Sequence, residues 1–152
     1  LIAKIISLAD FNSSDTVLII GSSTGYSSAI LSNIAETVIS IEEDDQLVNF
    51  SETILLDKKI DNVVFLKKDL NEGCPEHGPF NKILIEGAVE DIPSYLFDQL
   101  DENGKMIAII ANGDLSEVRE YNKVGENIGS KFLFNCEAPK LKAFNKTDSF
   151  NF

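Results

Sequence analysis

The sequence predicts an α/β protein with a doubly wound, mostly parallel sheet that ends in an antiparallel hairpin. Short apolar runs without polar alternation, typical of strands buried on both faces of a sheet, alternate with segments whose apolar residues recur at helical spacing. Such alternation indicates βαβ units. With 152 residues and 43% hydrophobic content, the chain is the size of one domain with one core. We therefore expect residues 1–152 to form a single domain.

Helices and strands alternate in the first half of the chain. A leading helix is expected where apolar residues recur at helical spacing in residues 1–8, before the turn-prone residues 12–15. The glycine that ends the first apolar run, followed by helical spacing, indicates the opening of a βαβ unit. The predicted strands are residues 16–20, 38–41 and 63–66, and the helices between them lie near residues 26–34 and 47–55.

In the second half, two more buried strands are expected at residues 83–86 and 105–110. A helix between them should begin at Pro93, since proline is favoured at the first helical position, and include Leu96, Phe97 and Leu100. Asn103 and Gly104 predict a turn into the fifth strand. An antiparallel pair is predicted after residue 117, from residues 118–123 and 130–134.

Charge and composition exclude several classes of function. The formal net charge of −12 disfavours a nucleic-acid partner, because such binding depends on Lys and Arg neutralising phosphates. The sequence has no apolar run near the roughly 20 residues needed to span a bilayer and no signal-peptide pattern, so we expect a soluble cytoplasmic protein without membrane contact. Cys74 and Cys136 lack the spacing of a metal site or disulfide framework and are interpreted as inert thiols.

The segment after the first strand is the strongest candidate for ligand binding. It runs from the buried strand through Gly21, Ser22, Ser23 and Gly25 into a helix. Glycines at such a turn permit positive φ and let a nucleotide-like cofactor approach the backbone at the carboxyl ends of the strands. The same turn could also connect strand and helix without any ligand.

Acidic residues follow the next two predicted strands. Glu42 lies 21 residues beyond Gly21, where a carboxylate can accept hydrogen bonds from ribose hydroxyls. It also belongs to the acidic run 42–45, which helix capping alone would explain. Asp69 could accept from an adenine amino group or could be ordinary turn chemistry. Together, Gly21, Glu42 and Asp69 should lie along one edge of the sheet.

The sequence resembles the class I S-adenosylmethionine-dependent methyltransferases, and more closely the protein-L-isoaspartate O-methyltransferases in a divergent bacterial branch. The resemblance extends over nearly the whole chain and is most specific at Pro75-Glu76-His77 and in the helix near 92–104. The matching segments are residues 17–31, 38–47, 62–73, 75–88 and 92–104, with the tail 138–152.

This resemblance implies a Rossmann-like sheet of seven strands in the order 3-2-1-4-5-7-6, with S-adenosylmethionine as cofactor. It implies methylation of L-isoaspartyl residues in damaged proteins, a repair reaction, so the expected partners are isoaspartyl peptides or proteins. No catalytic residue is assigned, no metal is expected, and the oligomeric state stays open. The implied cofactor-binding residues are Gly21, Ser22, Ser23, Gly25, Glu42, Glu43, Asp69, Leu70 and Glu86.

The sequence departs from the family pattern at three positions. Ile19 replaces an acidic residue, Ser23 replaces a glycine, and Glu86 replaces a small or hydroxyl residue. These departures favour an alternative function, a non-catalytic domain with weak or no cofactor binding that is used for protein interaction. A dinucleotide oxidoreductase is disfavoured, because Ser23 and Tyr26 occupy its second and third glycine positions.

Two expectations concern catalysis. His77, the only histidine, lies in a loop that the resemblance explains structurally, and a carboxylate acceptor with a pKa of roughly 4 needs no general base. The sequence opens at Leu1, and by the resemblance we expect it to lack the N-terminal substrate segment of the family. We therefore expect these residues alone to be inactive in methyl transfer even where they bind the cofactor.

Overall fold

The structure, a computed structural model, describes residues 1–146 and shows one seven-stranded sheet flanked by short helices. No helix in this range is long and apolar enough to cross a membrane. The elements are α1 (Ile2–Leu8), β1 (Thr16–Ile20), α2 (Tyr26–Ser32), β2 (Thr37–Glu42), α3 (Asp45–Asp57), β3 (Val63–Lys67), β4 (Phe80–Val89), α4 (Ser94–Phe97), β5 (Leu100–Asn112), β6 (Leu115–Val124) and β7 (Asn127–Cys136).

The sheet confirms the predicted mostly parallel architecture. Strands β1 to β5 are parallel to one another, β6 is antiparallel to β5, and β7 is antiparallel to β6. Strand β1 lies between β2 and β4, and Ile20 is opposite both Ile41 and Ile85. All four residues of β1 from Val17 to Ile20 are buried, because helices or the returning chain cover both faces of the sheet.

The order of the last two strands differs from the implied order. The structure has β3-β2-β1-β4-β5-β6-β7, so β6 rather than β7 pairs with β5. Only Gly113 and Asp114 separate β5 from β6, and only Gly125 and Glu126 separate β6 from β7. Two-residue connections of this kind join strands that are adjacent in the sheet. The C-terminal part is therefore a meander of two hairpins, and it begins at Leu115 rather than after residue 117.

The predicted helix at Pro93 is much shorter than expected. Helix α4 covers four residues, and Leu100 is the first residue of β5, opposite Phe80. Asn103 has the left-handed φ of +60° that suits the expected turn, and regular pairing with β4 resumes at Lys105. Residues 101–104 nevertheless form an irregularity within β5 rather than a turn before it. Leu100 is buried against the core from the strand rather than from a helix.

The chain after β7 returns to the centre of the sheet. The Ala88 N–H donates to the Pro139 carbonyl at 2.9 Å, and the Leu141 N–H donates to the Ala88 carbonyl at 2.8 Å. Phe144 lies in a 3₁₀ turn and is buried in the core. This returning segment, residues 138–146, therefore packs on β4. The remainder of the tail on which the resemblance was based, residues 147–152, lies outside the described residues.

Candidate functional site

The register of the sheet brings the predicted site residues to one edge. Because Ile20 pairs with Ile41 and Ile85, the residues that follow them, Gly21, Glu42 and Glu86, lie at the same level on three adjacent strands. These are the carboxyl ends of β1 and β2 and the corresponding point of β4. The edge is also the place where ligands bind in open α/β sheets.

The loop between β1 and α2 has the backbone conformation that its glycines predict. Gly21 and Gly25 have φ of +80° and +79°, in the left-handed region. A Cβ at Gly25 would lie 3.0 Å from both Phe65 Cζ and Ser51 Oγ, so the loop has no room for a side chain there. Ser23 also has a positive φ, +50°. This backbone conformation is common for glycine and uncommon for serine.

The Glu42 side chain connects this loop to the end of β2 by hydrogen bonds. Its carboxylate is buried and accepts from the Ser23 N–H at 2.9 Å, while its other oxygen accepts from the Glu43 N–H at 2.9 Å. Helix capping explains a different residue of the acidic run. Asp44 is the N-cap of α3 and accepts from the Gln46 N–H at 2.8 Å. Glu42 is therefore a loop-holding carboxylate and not the helix cap.

The ends of β2 and β3 are also joined. Glu43 accepts from the Leu70 N–H at 3.1 Å, and Asp69 is exposed beside it. These strand ends border a cavity of about 360 Å³, and it is lined by Glu43, Lys67, Lys68, Asp69 and Glu72. The sequence analysis did not name the two lysines as site residues. Lys67 lies opposite Glu42 on the adjacent strand, so its position at the end of β3 could have indicated that it borders the site.

Glu86 lies on the other side of the loop from this cavity. Ser27 Oγ donates to Glu86 Oε2 at 2.5 Å. Burial raises the pKa of Glu86 to about 7; the Ser27 hydrogen bond opposes this shift, and the negative charge of Glu42 adds to it. Among residues 1–146, no Lys, Arg or His nitrogen lies within 4.0 Å of this carboxylate.

Cys74 and His77 lie in the connection between β3 and β4. Cys74 is a free, buried thiol, and burial raises its pKa to about 11, which agrees with the interpretation as an inert thiol. His77 ends a 3₁₀ turn, and its backbone N–H donates to the Cys74 carbonyl. The His77 backbone therefore closes this turn, and the interpretation of the loop as structural stays a prediction.

The site can be compared with known proteins. The family model described as protein-L-isoaspartate(D-aspartate) O-methyltransferase (PCMT) matches residues 1–136. The chain belongs to this family.

Relatives of the PCMT family match the chain over much of its length. A protein-L-isoaspartate O-methyltransferase of Jannaschia sp. is 37% identical over 66% of this chain and 45% of its own length. One from Azorhizobium caulinodans is 31% identical over 94% of this chain and 66% of its own. The chain thus spans from about half to two thirds of the length of these curated relatives.

Solved structures of PCMT proteins share the fold. A protein-L-isoaspartate O-methyltransferase superposes with a TM-score of 0.85 at 23% identity, covering 92% of this chain and 46% of its own. A Plasmodium falciparum protein described as a putative PCMT in complex with S-adenosyl-L-homocysteine gives a TM-score of 0.72 at 28% identity, over 93% of this chain and 71% of its own. The Rossmann-like class I methyltransferase fold is therefore confirmed.

Proposed function

We propose that this chain is the cofactor-binding core of an S-adenosylmethionine-dependent carboxyl O-methyltransferase that acts on L-isoaspartyl residues of damaged proteins. The observation on which the proposal rests is the buried Glu42 carboxylate, which is hydrogen-bonded to the Ser23 N–H and placed level with Gly21 at the carboxyl edge of the sheet. Membership of the PCMT family gives this arrangement its chemical interpretation.

The residues present fit S-adenosylmethionine. Ser22 in the loop is 1% exposed, and its hydroxyl is the one buried side-chain oxygen of residues 1–146 without a hydrogen-bond partner. A ligand lying along the loop would supply that partner. We place the adenosine ribose at Glu42 and the adenine beside Asp69 and the Leu70 backbone, in the cavity between the ends of β2 and β3.

Glu42 has acceptor capacity left for such a ligand. A carboxylate offers about four lone-pair positions. Three of these meet the backbone N–H groups of Ser23, Glu43 and Asp44, at 2.9, 2.9 and 3.4 Å. The fourth lone pair is free of these bonds, and the bond from the Asp44 N–H is long. The Glu42 carboxylate can therefore accept a hydrogen bond from a ribose hydroxyl. Glu42 would then position both the loop and the ligand.

Methyl transfer to a carboxylate makes modest chemical demands on the protein. The cofactor supplies an activated methyl group, and the acceptor, with a pKa of roughly 4, is ionised at neutral pH. The protein has to bind and align the two groups and exclude water, and alignment alone can be worth about 7–11 kcal/mol. The absence of an assigned catalytic dyad therefore agrees with this reaction class.

Replacing Glu42 with alanine should weaken binding of S-adenosylhomocysteine by about 1–3 kcal/mol, because charge-assisted hydrogen bonds to the ribose are lost. Isothermal titration calorimetry on the full chain measures this. Glu52→Ala is the matched control, since it also removes one glutamate charge, but from an exposed position of α3 that makes no side-chain hydrogen bond or ion pair with Glu42 or the loop within residues 1–146. Equal affinities in the two variants would return Glu42 to a purely structural role.

The non-catalytic alternative has one structural observation in its favour. Ile19, where the family usually has an acidic residue, is fully buried in the hydrophobic cluster that contains Val17 and Leu84. A protein without any affinity for S-adenosylmethionine or its product in the titration would favour this alternative. The isoaspartyl substrate, the lack of a nucleic-acid partner, the cytoplasmic location and the single-domain organisation remain predictions.

A further inference from the structure

The Glu86 carboxylate is unusual because the protein surrounds it without a cation. It accepts from Ser27 of α2, and the charge that acts on its pKa is the negative Glu42 carboxylate at the end of β2. Each of the six ion pairs among residues 1–146 is made by other side chains. Glu86 is half-buried, and ionising a largely desolvated carboxylate without a counter-ion is costly, so a bound cation would stabilise its ionised form.

The order of the strands shows which part of a ligand reaches Glu86. Along the carboxyl edge the strands follow the order β3, β2, β1 and β4. The cavity proposed for the adenine lies at the ends of β2 and β3, and Glu42 lies at the end of β2. The loop of residues 21–25 follows β1. A ligand that crosses the loop in this direction places its other end at β4, where Glu86 lies level with Gly21.

We infer that Glu86 binds the positively charged amino group at the amino-acid end of the cofactor. The inference rests on the proposed function and adds a specificity-determining residue to it. The loop residue Ser22 supports the same location, because its buried hydroxyl has no hydrogen-bond partner among the described residues. Glu86 and Ser22 together offer the polar contacts that an amino-acid group requires.

The titration of Glu86 gives the inference a measurable signature. Its pKa is about 7 in the ligand-free protein, and the groups that face it are Ser27 on α2 and Glu42 on β2. An ammonium group binds the ionised carboxylate and not the protonated one, so affinity should rise with pH through this range. At pH 6 about a tenth of Glu86 is ionised and at pH 8 about nine tenths, which gives a roughly tenfold difference in affinity.

Two ligands distinguish the contribution of the amino-acid end to binding from that of the rest of the cofactor. S-adenosylhomocysteine has the ammonium group, whereas 5′-methylthioadenosine has the same adenosine and thioether without it. We expect the affinity for S-adenosylhomocysteine to fall roughly tenfold from pH 8 to pH 6 in calorimetric titrations of the full chain. The affinity for 5′-methylthioadenosine should stay constant over that range. Titration in two buffers of different ionisation enthalpy should also show release of about half a proton near pH 7 with S-adenosylhomocysteine only.

Glu86→Gln tests the residue itself. The amide keeps an oxygen that can accept from Ser27 but cannot be ionised. The variant should bind S-adenosylhomocysteine roughly tenfold more weakly at pH 8 and lose the dependence on pH, while 5′-methylthioadenosine binds as before. A pH profile that persists in this variant, or an equal profile for both ligands in the unaltered chain, would overturn the inference. Failure of both ligands to bind would instead overturn the proposed function.

Discussion

Replacing Lys82 with methionine should lower the free energy of unfolding by about 3–5 kcal/mol, because it leaves a buried charge without its partner. Lys82 Nζ lies 2.9 Å from Asp15 Oδ2, and the two side chains are 8% and 6% exposed. The same Asp15 oxygen accepts from the Asn12 N–H at 2.8 Å, so the pair also fixes the turn before β1. Urea denaturation followed by circular dichroism measures the change.

Lys67→Met is the matched control for this experiment. Lys67 forms an ion pair of 2.7 Å with Asp45, but the side chains are 56% and 66% exposed, so solvent screens the pair and its loss should lower stability far less than the loss of Lys82. The double variant Asp15→Asn with Lys82→Met removes both buried charges and should recover much of the lost stability. Equal losses for Lys82→Met and Lys67→Met would show that burial does not determine the strength of the Lys82 pair.

Gly87→Ala should destabilise the protein by about 2–4 kcal/mol, the sum of an unfavourable backbone conformation and overpacking. Gly87 has φ of +152°, and a Cβ there would lie 2.5 Å from Leu141 Cγ. Leu141 belongs to the segment that returns to β4, so the new methyl group would push this segment away from the sheet. Thermal unfolding of the variant gives the loss.

Two further variants separate the causes of that loss. Gly129→Ala on β7 meets nothing within 4 Å and should change stability by no more than about 0.5 kcal/mol. Adding Leu141→Ala to Gly87→Ala removes the clash, so the two changes together should cost less than the sum of their separate effects. Simple additivity in this double-mutant cycle would mean that Leu141 does not pack on Gly87 in solution.

The parallel half of the fold could be predicted because its strands are buried on both faces. Residues 17–20 form an uninterrupted apolar run for this reason, and the observed strand, Thr16–Ile20, has the predicted bounds. The segment near Leu100 was less informative, since an apolar residue suits a helix and a strand equally. The order of the last strands was mistaken because the resemblance was preferred to a local signal. Gly113 and Asp114 alone indicate a tight hairpin between β5 and β6.

The sequence could predict which residues lie at the ends of the strands, but not which groups their side chains contact. Strand spacing placed Gly21 and Glu42 at one edge, and the register agrees with that prediction. Which groups Glu42 binds depends on side-chain direction, so its bond to the Ser23 N–H could not be derived from spacing. The bond between Ser27 and Glu86 joins residues 59 positions apart and arises only from tertiary packing.

The strand order also has a consequence for how the chain folds. The meander of β5, β6 and β7 is closed by two-residue turns, so its contacts are local and can form early. Strand β1 must pair with β4, whose residue Ile85 is 65 positions beyond Ile20, and closing that large loop is slow. The glycine loop continues from β1 and reaches its final geometry only when this central strand is inserted. We therefore expect the proposed ligand-binding edge to form late in folding, so that a bound ligand would stabilise the finished fold rather than its first steps.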